Sequence, residues 1–299
     1  PFTFISTINS MHQLGLKIKF ADINTDDYNI DLNSLKKKIS KKTKCVLVTH
    51  YGGNPCNINK IQKICGNKIK LIEDAATALG SKVGREKIGS FKNSIAVFSL
   101  YANKIITSGE GGIISLNNRK LSDKIRVMCS MGITKDPWRR SKNKLNYKFD
   151  LIEPGYKFNF TDIQASIGIQ QLKKLDKIIS YRRRLRKIYN NKLIKFIKKK
   201  YKNIIKVQKN VKSAEYIYTI LINEKFGKKC RDKLIVFLKN KGIQTSVHYT
   251  PANYLKYYKK KFKNQNITNS NKIFNNILSL PFHNRLRSIE IAYITKEIS

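Results

Sequence analysis

The chain has 299 residues, 41% hydrophobic and 10% aromatic, which supports a large core with more than one unit and excludes wholesale disorder. Lysine and arginine number 61 against 19 acidic residues, a formal net charge of +42 that raises the question of a nucleic-acid partner. No apolar run approaches the ~18 residues of a membrane span, and nothing at the start reads as a signal peptide.

Short apolar runs alternate with helical stretches through the first two-thirds, which predicts an α/β architecture with a mainly parallel sheet flanked by helices. Strands are expected at Ile18–Ala21, Cys45–Thr49, Ile69–Glu73, Ile95–Ser99 and Gly112–Leu116. Helices are expected between them, for example Leu32–Ile39 and Ile58–Cys65. The strands are continuously apolar, as when helices cover both sheet faces. Thr161-Asp162 reads as the start of one long helix whose face carries Ile163, Ile167, Leu172, Leu175, Ile178, Ile179, Leu185 and Ile188. Its arginines Arg182, Arg183, Arg184 and Arg186 read as a solvated face. A strand at Tyr216–Ile222, a helix at Lys233–Lys239 and a strand at Ile243–Tyr249 predict a smaller C-terminal α/β unit. We divide the chain at 1–190 and 191–299.

The basic residues are mostly lysine, spread along the chain and accompanied by abundant asparagine and isoleucine. Much of the charge therefore reads as codon composition on solvated surface, and no specific nucleic-acid site is expected. A single-strand-binding face would interleave aromatics with basic residues, and the nearest approach is the Tyr/Lys-rich stretch Tyr254–Phe262. A basic surface would still help collect a substrate carrying a diphosphate. The five cysteines, Cys45, Cys56, Cys65, Cys129 and Cys230, include no Cys-x-x-Cys pair, which fits a reduced, cytoplasmic setting. His50 and His283 are too scattered from other ligating residues to argue for a metal.

Two segments carry candidate chemistry. In LIEDAATALG (Leu71–Gly80) an apolar strand ends in Glu73-Asp74, where open α/β sheets bind ligands, although an acid there can also cap a helix. In FSLYANKIITSGEGG (Phe98–Gly112) another strand delivers Ser99, then Lys104, then a glycine-rich turn that permits close approach to a ligand. A lysine among so many is by itself a surface residue.

Together these segments resemble the DegT/DnrJ/EryC1/StrS family of sugar aminotransferases. The resemblance covers nearly the whole chain. It takes in PFTFISTINSM (Pro1–Met11), FADINTDDYNID (Phe20–Asp31), VLVTHYGGNPCNI (Val46–Ile58), GYKFNFTDIQASIG (Gly155–Gly168), GIQTSVHYTPANYLKYY (Gly242–Tyr258) and LSLPFH (Leu278–His283). It implies the type I fold of pyridoxal-phosphate-dependent transferases. Pyridoxal phosphate needs an amine for its Schiff base, a carboxylate at its ring nitrogen and donors for its phosphate. By family position Lys104 would be the Schiff-base lysine and acid–base, Asp74 the ring-nitrogen partner and Ser99 a phosphate donor. Phe4 would lie against the ring. Asn159 would reach the cofactor phosphate of a neighbouring subunit, making the site a property of a homodimer, unless it is an ordinary turn residue. Thr77 stands where the family usually has glutamine or histidine, which puts the tuning of the ring in doubt.

The segment GITKDPWRR (Gly132–Arg140) resembles the branch that aminates UDP-linked 4-keto-sugars. Trp138 and Arg139 would belong either to a loop over the substrate or to a basic surface loop. His248 matches a family histidine near the sugar nucleotide, or is a satisfied histidine at a strand end. The resemblance also implies several dozen residues ahead of Pro1, including a Ser-Gly-Thr-type phosphate loop. The expected reaction moves an amino group from an amino acid, with glutamate the expected donor, to a nucleotide-linked keto-sugar. Against it stand a dehydratase on the same fold, which would carry histidine in place of Lys104, and a truncated or degraded non-catalytic homologue.

Overall fold

The computed structural model describes residues 1–133, 150–199, 204–207 and 213–298. Helix α1 (Ile5–Gln13) is followed by α2 (Leu32–Lys38), whose N-terminus is closed by the Asp31 side chain accepting from the Ser34 amide. Strand β1 (Cys45–Thr49), helix α3 (Ile58–Cys65) and strand β2 (Lys70–Asp74) form a parallel βαβ unit, with Thr49 opposite Asp74. A small hairpin of β3 (Lys82–Val83) and β4 (Glu86–Lys87) leads to β5 (Ser94–Ser99), parallel to β2. Strand β6 (Gly112–Leu116) returns antiparallel, giving the order β1-β2-β5-β6.

This is the expected α/β class with a mainly parallel sheet. Val46, Val48, Leu71, Ala96 and Phe98 meet Ile58, Ile61 and Cys65 of α3 in one core. Each fully buried aliphatic side chain there contributes roughly 1.5–3 kcal/mol.

Helix α4 (Arg119–Cys129) precedes α5 (Asp162–Lys173) and α6 (Leu175–Lys199). Thr161 and Gln164 close α5 with a reciprocal capping box. The single long helix expected here is thus two. The Lys174 amide turns to the Gln171 carbonyl and ends α5, and Leu175 and Ile179 then pack over Gly80.

Two arginines expected in solvent are buried, Arg182 at 4% exposure and Arg186 at 7%. The reason is a set of inward-facing acceptors. Arg182 donates through Nη1 to the carbonyls of Glu215, Tyr216 and Phe282, and through Nε to Asn284 at 2.6 Å. Arg186 pairs with Glu215 and donates to the Ile217 carbonyl at 2.7 Å. Arg183 and Arg184 do face outward.

The C-terminal part builds an antiparallel sheet from β7 (Ile205–Val207), β8 (Tyr218–Ile222) and β9 (Ile277–Leu280). Around it lie α7 (Gly227–Asn240), α8 (Lys256–Lys259), α9 (Thr268–Asn276) and α10 (Ser288–Ile298). Leu185, Tyr189 and Leu193 of α6 pack here with Tyr218, Ile220, Leu238, Ile291 and Ile294. Ile179, earlier in α6, joins a different cluster with Tyr51, Leu100 and Ile105.

Two expected strands do not form. At Ile18–Ala21 a side-chain amide replaces a neighbouring strand: the Phe20 amide donates to Gln265 Oε1 and Gln265 Nε2 to the Ile18 carbonyl. Ile243–Tyr249 keeps a single bridge, Ser246 to Ser279, because the Ile243 amide is taken by the Leu238 carbonyl at the end of α7. Among the described residues no helix is long and apolar enough to cross a membrane.

Candidate active site

Because β1, β2 and β5 run parallel, their carboxyl ends share one edge, the place where open α/β sheets bind ligands. Asp74 ends β2 on the opposite pleat face from Glu73, so Glu73 is buried and Asp74 only partly so. The Asp74 carboxylate is held in one orientation. Its Oδ2 accepts from Thr7 Oγ1 at 2.6 Å, Thr3 Oγ1 at 3.1 Å and Thr49 Oγ1 at 3.4 Å, and its Oδ1 from the Ala76 amide at 3.2 Å.

Lys104 lies in the β5–β6 connection. Burial pushes its amine below the ordinary lysine value of 10.5, and the negative charge of Asp74 offsets part of that shift. Its Nζ stands 5.1 Å from the centre of the Tyr216 ring. Tyr216 is fixed at both ends, its hydroxyl donating to Asn103 Oδ1 at 3.3 Å and its carbonyl accepting from Arg182. The buried arginine thus supports a residue that faces Lys104.

His248 joins the same cluster. Burial, and then the positive charge of Lys104, lower its pKa from 6.5 to about 4, so its imidazole is neutral at neutral pH. Its Nδ1 lies 2.8 Å from Ser279 Oγ, and its carbonyl accepts from the Tyr51 hydroxyl at 2.6 Å. Tyr249 follows, its hydroxyl pKa raised by burial first and then by Tyr216 and Asp74. Phe4 is 60% exposed and turns an edge toward Tyr249, with ring centres 6.2 Å apart.

Ser99 ends β5, its Oγ accepting from the Tyr101 amide at 3.2 Å. Thr77 is buried, and its hydroxyl is engaged within the fold. It donates to the His50 carbonyl at 3.0 Å and accepts from the Gly53 amide at 3.1 Å. Gly53 has φ +86°, and a side chain there would meet the Thr77 carbonyl at 2.8 Å. Asn159 is exposed, just before Phe160, whose ring packs over Gly111 of the glycine-rich turn. Trp138 and Arg139 lie outside the described residues.

The structure therefore brings Asp74, Lys104 and His248 into electrostatic contact, with Phe4 beside them through Tyr249. Sequence reasoning missed Thr3, Thr7, Thr49, Tyr216 and Tyr249. The i, i+4 spacing of the threonines in PFTFIST offered no signal, because Thr3 lies ahead of α1 and only Thr7 lies within it. The tyrosines offered none, arriving from 112 or more positions further along the chain. His50, read as isolated from any carboxylate, is 2.9 Å from Glu73, a pairing that adjacent strands create and spacing hides. A shallow trough of about 870 Å³ along α7, lined by Lys228, Lys229, Asp232, Lys233, Val236, Phe237 and Asn240, shares no residue with this cluster.

The donor set fits pyridoxal phosphate. An amine whose affinity for a proton is lowered by burial, an oriented carboxylate, a strand-end hydroxyl and an exposed aromatic face are the groups that the cofactor needs.

The comparisons agree. The profile of the DegT/DnrJ/EryC1/StrS aminotransferase family matches residues 1–299. The UDP-4-amino-4,6-dideoxy-N-acetyl-beta-L-altrosamine transaminase of Campylobacter jejuni is 32% identical over 298 residues, covering 98% of this chain and 76% of its own. The structure of Helicobacter pylori PseC, an aminotransferase involved in the biosynthesis of pseudoaminic acid, superposes with a TM-score of 0.89 at 27% identity, covering 100% of this chain and 77% of its own. The E. coli GDP-4-keto-6-deoxy-D-mannose-3-dehydratase with bound hydrated PLP does so with a TM-score of 0.84 at 26% identity, covering 99% and 78%. The chain belongs to the DegT/DnrJ/EryC1/StrS aminotransferase family and is a pyridoxal-phosphate-dependent enzyme of the sugar aminotransferase type.

Proposed function

We propose that this enzyme moves an amino group from an amino acid, glutamate, to a nucleotide-linked keto-sugar, with Lys104 as the residue that holds the cofactor. The observation carrying this reading is the placement of Lys104 in the β5–β6 connection, its Nζ 5.1 Å from the centre of the Tyr216 ring and its charge acting on both Asp74 and His248. Bound pyridoxal phosphate would act as an electron sink for the carbon that loses its proton. Lys104 Nζ, with its lowered affinity for a proton, takes that proton from the amino-acid carbon and later delivers one to the sugar carbon. Asp74, fixed by three threonine hydroxyls, partners the ring nitrogen. Ser99 and, from a second copy of the chain, Asn159 hold the phosphate, while Phe4 covers a ring face. Thr77 shapes the turn beside the ring through the His50 carbonyl and the Gly53 amide. The donor leaves as a 2-oxo acid and the ketone becomes an amine, so no further redox partner is needed.

His248 as a neutral imidazole binds the sugar nucleotide by hydrogen bonding and not by charge. Trp138 and Arg139 complete our assignment on the substrate side. We place the cofactor on 1–190 and the smaller unit at 191–299, with α6 joining them. The five cysteines are free, as a cytoplasmic setting would leave them. A second copy covers the apolar face formed by Ile163, Ile167 and Leu172 of α5 with Tyr156 and Phe158, all of them exposed in the single chain.

A dehydratase is among the similar structures, so this fold serves more than one reaction; the lysine at position 104, where the resemblance implies histidine in a dehydratase, supports amino transfer. The test is to supply the full-length enzyme with UDP- and GDP-linked 4-keto-sugars and glutamate. Stoichiometric amino-sugar and 2-oxoglutarate, both lost in Lys104→Ala, are expected. Loss of a sugar hydroxyl without amine incorporation would overturn the reading.

A further inference from the structure

His50 and Glu73 are fully buried, at 0% side-chain exposure each, and the catalytic scheme above uses neither side chain. A buried carboxylate is costly, and replacing such a group by apolar residues of the same volume is often neutral or stabilising. Core stability alone therefore does not account for the pair. Its connections do.

The Cys56 amide donates to His50 Nδ1 at 2.9 Å. A backbone N–H can only donate, so Nδ1 carries the lone pair and the ring proton sits on Nε2. Nε2 then donates to Glu73 Oε2 at 2.9 Å, and Ser94 Oγ donates to Glu73 Oε1 at 2.5 Å. The backbone of the same histidine binds the residues on the other side. Its amide donates to the Asp74 carbonyl at 3.1 Å, and its carbonyl accepts from the Thr77 hydroxyl at 3.0 Å. His50 therefore grips Glu73 by the side chain, Asp74 by the carbonyl and Thr77 by the hydroxyl. Through Glu73 it also reaches Ser94 at the start of β5. Asp74 is bracketed from both sides by bonds to one residue.

We propose that His50 and Glu73 are a positioning pair, which fixes the backbone on either side of Asp74 and so aims its carboxylate at the cofactor ring nitrogen. The proposal rests on the reading of Asp74 given above. Thr3, Thr7 and Thr49 orient the carboxylate from outside, and the buried pair sets the peptide frame from which it projects.

The test uses the full-length chain, titrated with pyridoxal phosphate and followed by the visible spectrum of the bound cofactor, beside urea unfolding. Asp74→Asn calibrates the spectral change caused by loss of the ring-nitrogen partner. Glu73→Leu, which keeps volume and removes both acceptors, is expected to weaken cofactor binding by about tenfold or more, the size seen when outer partners of metal ligands are lost. It should also shift the bound spectrum in the direction of Asp74→Asn. Glu73→Gln keeps an acceptor for the imidazole N–H, and is expected to restore both affinity and spectrum. Ser94→Ala removes one donor and leaves the pair in place, and should produce a smaller shift of the same sign even if Glu73→Leu does not fold. Normal spectra in Glu73→Leu and Ser94→Ala, with only the urea midpoint lowered, would show a purely structural role and overturn the proposal. No bound spectrum in the wild type, or none that Asp74→Asn alters, would remove the reading of Asp74 itself.

Discussion

Helices α5 and α6 follow one another across a single residue, yet they invert the usual rule in opposite ways. On α5 the apolar residues Ile163, Ile167 and Leu172 are exposed, Ile163 at 76%, and only Gly168 is buried. On α6 the arginines Arg182 and Arg186 are buried while Arg183 and Arg184, between them, are not. Residue type does not decide burial here; what stands opposite does. Arg182 and Arg186 face carbonyls and one carboxylate contributed by residues 215–217 and 282–284, a set that satisfies planar guanidinium groups. The apolar face of α5 has no such cover among the described residues, and large exposed apolar patches mark surfaces of association.

Breaking the buried ion pair is the strongest way to test that contrast. Glu215→Ala leaves Arg186 buried without its carboxylate and should cost about 3–5 kcal/mol of unfolding free energy, read from urea denaturation. A normal midpoint would mean that the clamp is dispensable.

His248 offers an intermediate case, a titratable group partly buried beside Lys104. Its folded pKa of about 4 lies below the ordinary 6.5, so between these values the unfolded chain binds the extra proton. Stability is therefore unaffected above pH 6.5 and falls as pH drops from 6.5 toward 4, by on the order of 3 kcal/mol for a shift of this size. Unfolding measured across that window should flatten in His248→Asn. An unchanged slope would assign it to other groups.

The smallest effects on the chain's own stability belong to the exposed residues. Arg183→Ala should change unfolding free energy by no more than about 0.5 kcal/mol, and so should the double variant Ile163→Asp/Ile167→Asp. That double variant should nevertheless shift sedimentation from dimer to monomer. A wild-type monomer at every concentration would refute the association reading of α5.

The same contrast explains how much could be read from the residues alone. Strands β1, β2, β5 and β6 were legible to within a residue, because continuous apolar runs between polar turns signal a buried sheet. Their carboxyl ends then placed Asp74 and Ser99. Ile18–Ala21 looked like a strand for the same reason, but strand formation depends on a neighbour, and here the amide of Gln265 takes that place. Lys104 was hidden among dozens of lysines until the family resemblance singled it out. Its physical distinction, burial beside Tyr216 and coupling to Asp74, arises only when distant segments meet. The arginine run misled because periodicity reports a helix face and says nothing about acceptors on the other side.

Whether Lys104, set against Asp74, carries pyridoxal phosphate is read most directly from the visible absorption spectrum of the full-length protein with the cofactor added, beside Lys104→Ala. A yellow band is expected that is absent in the variant and is bleached by glutamate in the wild type. Glutamate should leave 2-oxoglutarate in the same amount as the cofactor bleached. A folded wild-type protein without the band, or a band that survives Lys104→Ala unchanged, would contradict that role of Lys104.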